Sequence, residues 1–246
     1  MGAAGEILRT YYVKGARAAR TASVKTGLLR RLDHSYHAKP RGVLAHWRTL
    51  YAIHDVDDLV TLDIPWWTYG AIDAVQEHLG RLGGRARVFE FGSGASTVWL
   101  GRRSATVYSV EHDDFFAGIM RCVLVDAGVS DTVTLIEARP STSADPQVRS
   151  GRPGEDELDF SGYVDALAQA GGKFDVICVD GRARVACALA AVEYLNPDGI
   201  LVWDDSQRAR YAGGIRQTGL KVRRFRGFAP SLPYPRETAL LTRLAR

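Results

Sequence analysis

Between Ile64 and Asp205 the sequence alternates two rhythms, and this constrains the fold more than any other feature. Short, mostly apolar runs lie at Arg87–Phe91, Thr106–Glu111, Thr132–Glu137, Phe174–Asp180 and Ile200–Trp203. Between them, apolar residues recur at helical spacing. Ala71, Ile72, Val75, Leu79 and Leu82 do so before Gly83-Gly84, and so do parts of Thr97–Arg103, Asp114–Gly128 and Val185–Leu195. Strands apolar on both faces, joined by helices, form a parallel sheet covered on both sides. The pattern changes after Asp205. Val222–Phe228 and Thr238–Leu244 are strand-like with no helix between them, and Pro230, Pro233 and Pro235 fill the connection. That fits an antiparallel pair at a sheet edge. The expected fold is α/β: a doubly wound, mostly parallel seven-stranded sheet with a C-terminal antiparallel hairpin. It spans residues 61–246 behind an N-terminal helical extension, residues 1–60. Asn196-Pro197-Asp198-Gly199 reads as a turn. Ala138–Asp159, polar and without period, reads as a lid or a disordered loop.

A chain of 246 residues, 46% hydrophobic and 24% charged, can bury a full core without disulfides or metal staples. No apolar run approaches the ~20 residues of a transmembrane helix, and the N-terminus lacks the apolar region of a signal peptide. Cys122, Cys178 and Cys187 lie among apolar residues and read as reduced core thiols of a cytoplasmic protein. The net charge of +4 hides an asymmetry: residues 1–48 carry ten basic and two acidic side chains, so the remainder is net acidic. A basic arm on an acidic body suits a membrane surface, a homo-oligomer contact or a solvated helical face. It could also serve a nucleic-acid partner, but the acidic body offers no broad electrostatic footprint for one.

The first apolar strand runs into Glu90-Phe91-Gly92-Ser93-Gly94 and a helix opening with Ser96 and Thr97. Glycines there let the backbone approach a ligand, and the carboxyl edge of such a sheet is where ligands bind. Glu111 ends the second strand at the distance from which an acid reaches ribose hydroxyls, with His112 beside it. A dinucleotide fingerprint would place a glycine where Thr97 stands. Glu90 would repel a pyrophosphate, yet could pair with an ammonium group. Glu90-x-Gly92-x-Gly94, Glu111, Asp180 after the fourth strand, the Asn-Pro-Asp-Gly turn and the terminal hairpin together resemble class I S-adenosylmethionine-dependent methyltransferases. The resemblance covers about residues 64–246. It implies that Glu90 faces the methionine end of the cofactor, that Gly92, Ser93, Gly94, Ser96 and Thr97 lie around it, and that Glu111 and His112 border the ribose. Glu137–Arg139 would lie near the adenine.

Asp180 and the pair Asp204-Asp205 end adjacent strands, so three carboxylates are expected at one rim. Such a cluster resists full ionisation without a cation, and oxygen ligands select hard ions. In site pattern it resembles the metal-dependent small-molecule O-methyltransferases, which implies a Mg2+ site at Asp180, Asp204 and Asp205. The alternative is that Asp205 caps a following helix and Asp180 bonds to backbone amides, with Asp180 then acting as base without a metal. Where the catechol-type enzymes place a lysine base, this chain has Ala183 between Arg182 and Arg184. Arginine is a poor base but clamps carboxylates and phosphates. The expected catalytic residues are therefore Asp180 as base, with Arg182 and Arg184 receiving a small, anionic acceptor. The expected reaction is O-methylation by S-adenosylmethionine. An RNA methyltransferase and a non-catalytic cofactor-binding module stand as the alternatives. Trp66, Trp67 and Tyr69 could cover the cofactor or pack in the core; Phe228 and Tyr234 could line the acceptor pocket or form a stiff turn.

Overall fold

The computed structural model describes residues 15–16, 18–52 and 55–244. Arg9, Lys14 and Arg17 of the basic arm lie outside them. Seven strands form the central sheet: β1 (Arg87–Phe91), β2 (Thr106–Glu111), β3 (Val133–Glu137), β4 (Phe174–Val179), β5 (Leu195–Asp204), β6 (Lys221–Gly227) and β7 (Arg236–Thr242). Their order is β3-β2-β1-β4-β5-β7-β6. The first five run parallel, while β7 pairs antiparallel with both β5 and β6. The edge hairpin is thus present, with its second strand inserted between β5 and β6.

Beyond a helical stretch over residues 18–25, nine α-helices carry the connections among the described residues. They are α1 (Leu28–Ala38), α2 (Val43–Thr49), α3 (Val56–Thr61), α4 (Tyr69–Arg81), α5 (Ala95–Gly101), α6 (Asp114–Asp126), α7 (Ser161–Ala170), α8 (Arg184–Tyr194) and α9 (Ala212–Gln217). Alternation along each strand builds one core on each face of the sheet. Val88, Val176, Cys178 and Val202 meet α4, α5 and α6. Phe89, Phe91, Ile177 and Trp203 meet α7 and α8. Cys178 and Cys187 are buried, but Cys122 is exposed, on the outer face of α6. The sequence context of Cys122 is apolar because α6 carries apolar residues on its solvent side too, including Phe115 and Val125.

Two stretches differ from the sequence reading. Asn196–Gly199 belongs to β5, which follows α8 directly. The register slips there: Phe174 pairs with Leu195, and Val176 with Ile200. Asn196 secures this bulge by donating to the Asp175 carboxylate at 2.6 Å. The long polar stretch is ordered. Ser141–Thr142 pairs with Leu158–Asp159, and the Asp159 carboxylate accepts from the amides of Gln147, Val148 and Ser161 and from the Ser161 hydroxyl. These donors hold the Asp159 carboxyl down to about 2. Polarity without period thus conceals a loop organised around one carboxylate.

The extension is held together by buried charge and reaches the body through Tyr36. Arg48, 3% exposed, binds Asp58 through both terminal nitrogens at 2.9 and 2.7 Å and also pairs with Asp33. Arg20 pairs with Asp55 and Asp58. Tyr36 donates to the Leu62 carbonyl at 2.8 Å. Removing one partner of a buried pair strands the other, so these contacts fix the packing within the extension.

Candidate active site at the carboxyl edge of the sheet

Strands β1, β2, β4 and β5 end together because they run parallel from one register, and every candidate residue lies at or just beyond those ends. After β1, Gly92 has φ +95°, and a Cβ there would come within 2.6 Å of the Gly181 backbone that follows β4. Gly92 therefore serves close approach between two loops. Gly94 has no heavy atom closer than 4.0 Å to where its Cβ would lie, so it borders open space at the start of α5. Of the two glycines, only Gly94 leaves room for a ligand beside it.

Glu90 is wholly buried. Its carboxylate accepts from the hydroxyls of Ser96 and Thr97 at 2.5 Å and Ser109 at 2.7 Å. Burial pushes its carboxyl up to about 7 against the opposing pull of these three donors. In this arrangement Ser96 and Thr97 hold the loop together, and Glu90 turns to them. Ser109, a polar residue inside an apolar strand, completes the network; its isolation in that strand was the available sequence signal.

Glu111 is buried but remains easily ionised. Its two oxygens accept from the amides of Ser93 at 3.1 Å, His112 at 2.8 Å and Asp113 at 3.0 Å. The His112 ring nitrogen Nδ1 lies 2.6 Å away. Burial opposes ionisation, yet these donors win and hold the carboxyl below its ordinary value. An ionised acceptor near the open space at Gly94 suits the hydroxyl donors of a polyhydroxylated, cationic cofactor, and the residues present fit it. Downstream, Glu137 pairs with Arg121, and Arg139 with Asp114, at the outer side of this edge.

The three aspartates separate. Asp205, at φ +57°, turns away and pairs with Arg208 and Arg236. Asp180 pairs with Arg184, whose Nη2 donates to its carboxylate at 2.7 Å and to its carbonyl at 2.5 Å. Arg184 also donates to the carbonyls of Gly181 and Asp204, which ties the ends of β4 and β5 together. Among the described residues no group of three or more metal-ligating side chains converges. The expected Mg2+ site at Asp180, Asp204 and Asp205 does not fit: arginines already take the places a hard cation would fill.

What remains is a pair of neighbouring buried carboxyls, Asp180 and Asp204. Asp204 is buried and accepts from the Thr238 hydroxyl at 2.8 Å; that hydroxyl in turn accepts from the Thr68 amide at 3.1 Å. Burial first, and then the neighbouring Asp180, push its carboxyl up to about 7. Asp180 is shifted upward as well, by burial, against the pull of Arg184, Arg236 and Arg208. Thr238, Arg208 and Arg236 escaped the sequence reading because no motif marks them. They reach the rim through the hairpin and the segment after β5.

The ordered polar loop covers this rim. Arg182 donates to Glu155 of the loop at 3.2 Å, and Arg210 to the Gly151 carbonyl at 3.3 Å. Beneath lies a cavity of about 210 Å³ lined by Arg149, Ser150, Gly151, Ala183, Val185, Arg210 and Tyr211. A larger cavity, about 450 Å³, lies at the opposite edge, by the end of α4 and Arg102–Ser104, far from these groups. Trp67 is buried in the core edge-on to Trp99, while Trp66 is partly buried. Phe228 is half-exposed and meets His46 of α2.

Comparison with solved structures shows that this fold is shared with O-methyltransferases. A Klebsiella pneumoniae protein provisionally named an O-methyltransferase superposes with a TM-score of 0.53 at 20% identity, covering 87% of this chain and 96% of that one. An O-methyltransferase from Bacillus cereus, in complex with S-adenosylhomocysteine, gives 0.51 at 17% identity over 79% and 90%. TomG, an O-methyltransferase of tomaymycin synthesis from Streptomyces achromogenes in complex with S-adenosylmethionine, gives 0.50 at 16% over 78% and 89%. No family model and no curated protein matches the sequence.

Proposed function

We propose that this chain is an S-adenosylmethionine-dependent methyltransferase that methylates a hydroxyl of a small anionic molecule. The observation that carries the reading is the pairing, at one sheet edge, of an ionised carboxylate beside the glycine loop with a second carboxyl poised near neutrality. Glu111 would hold the ribose hydroxyls, and the space bordered by Gly94 would take the rest of the cofactor, with Ser93 and His112 alongside. When bound, S-adenosylmethionine supplies an electrophilic methyl group on a sulfonium.

On the acceptor side, Asp204 and Asp180 share the work of a general base. A carboxyl near 7 can take a hydroxyl proton at neutral pH, and Arg184 opposes the burial that raises Asp180 beside it. Arg208 and Arg236 suit an anionic group on the acceptor. Burial lowers both their pKa values, and the nearby Arg184 lowers both further, so positive charge crowds the rim. The cavity beneath the polar loop is of small-molecule size, with Arg149 and Arg210 in its lining. Neutral proximity completes the mechanism by holding acceptor and methyl donor in line.

Calorimetric titration with S-adenosylmethionine and S-adenosylhomocysteine tests the first half: micromolar binding that Glu111→Gln weakens is expected, and no binding by the wild-type protein overturns it. Turnover of hydroxylated carboxylates or phosphates that EDTA leaves unchanged is expected for the second half. Methylation of RNA alone would overturn it.

A further inference from the structure

We infer that the N-terminal extension is a docking surface for an anionic lipid bilayer. On α2, Val43, Leu44 and Trp47 are 77%, 56% and 60% exposed. Their spacing puts them on one side of the helix, opposite the buried Ala45, Arg48 and Thr49. Val24 and Leu28, just before and at the start of α1, are exposed as well.

The charge around it is mostly of one sign. Lys25, Arg30, Arg31 and Lys39 are exposed on and beside α1, which packs against α2. Most of the extension's acids are engaged elsewhere, Asp33 and Asp58 with Arg48 and Asp55 with Arg20, which leaves Asp57 exposed against four exposed cations. The pairing within the extension therefore leaves its outer surface net cationic. An indole with aliphatic neighbours, flanked by lysine and arginine, is the composition that settles at the boundary of headgroups and acyl chains. Anionic headgroups complement the cations, each contributing about a fivefold change in partitioning. A nucleic acid would meet the same cations but offers nothing to Val43 and Leu44. A second copy would have to bring an acidic face to match.

Vesicle co-sedimentation of the full chain tests this. Vesicles of equal parts phosphatidylserine and phosphatidylcholine should retain the protein, phosphatidylcholine alone should not, and high salt should release it. Val43→Ser with Trp47→Ser, all exposed positions, should abolish retention while thermal unfolding stays at the wild-type temperature. Lys39→Glu should weaken retention about tenfold or more, since it both removes a cation and adds an anion. Equal retention on neutral vesicles overturns the inference, as does no retention on either. Salt-sensitive binding of RNA that survives the Val43→Ser, Trp47→Ser change, or a dimer that this change dissolves without any vesicle binding, also overturns it.

Discussion

Glu111 and Asp204 end two strands of the same sheet edge, both buried, and the protein treats them oppositely. Glu111 is surrounded by amide donors and is held below the ordinary range. Asp204 has one hydroxyl donor and a second carboxylate beside it, and is pushed up to about 7. Burial disfavours the charge in both cases, so the difference lies in the number and kind of donors that oppose it. One environment favours the charged carboxylate, the other the protonated carboxyl. Two carboxyls whose environments drive their pKa values apart are the pattern of a site that both binds and does acid–base chemistry.

Replacing the poised group should have the largest effect. Asp204→Asn is expected to lower kcat by about 10²- to 10⁴-fold, the usual range for a general base, and to remove the rise of activity with pH through about 7. Stability should move the other way. Asp204 binds its proton more tightly folded than unfolded, so its contribution is full at low pH and falls as pH rises from about 4 to about 7. Denaturant titrations should therefore show Asp204→Asn gaining stability relative to wild type above neutrality. Part of the wild-type slope will persist, because Glu90 is shifted the same way. A variant that keeps activity, or loses stability at high pH, breaks the contrast.

Glu111→Gln should come next, weakening cofactor binding by about 10- to 100-fold as a charged hydrogen-bond acceptor is lost. Its stabilising contribution, present above the unfolded pKa and lost as pH falls through the lower folded one, should disappear in acid unfolding curves. Thr238→Val is a finer probe. It removes the donor to Asp204 and leaves the Thr68 amide without its acceptor, so the acid limb of the pH profile should move upward by less than about one unit. Smallest of all, Glu155→Gln breaks the partly exposed pair with Arg182, worth about 1 kcal/mol or less. A few-fold rise in acceptor KM with unchanged cofactor affinity would assign the loop to the acceptor side.

The arginines show how far the sequence could be read. Arg182 and Arg184 stood at the right place for an acceptor clamp, and both lie at the rim. Yet Arg184 spends four hydrogen bonds on its own chain and Arg182 pairs with the loop. The residues crowding positive charge there, Arg208 and Arg236, are 28 positions apart in sequence. They meet because β7 enters between β5 and β6. Glu111 was legible because a strand end and a glycine loop stand at a spacing that the βαβ unit sets. The metal expectation failed because adjacency of strands predicts nearby carboxylates but not the counter-ions that other elements deliver.

Local rhythm, then, determined the strands, most of the sheet's helices and the edge where ligands bind, since period and apolarity act over a few residues. Short helices with weak patterns, α2, α3, α7 and α9, became visible only in the packed molecule. Tertiary structure alone decided which carboxylates are charged, which arginines oppose them and which face of the basic arm turns outward. Those are sums over neighbours brought from distant parts of the chain, and Coulomb and desolvation terms depend on that final geometry.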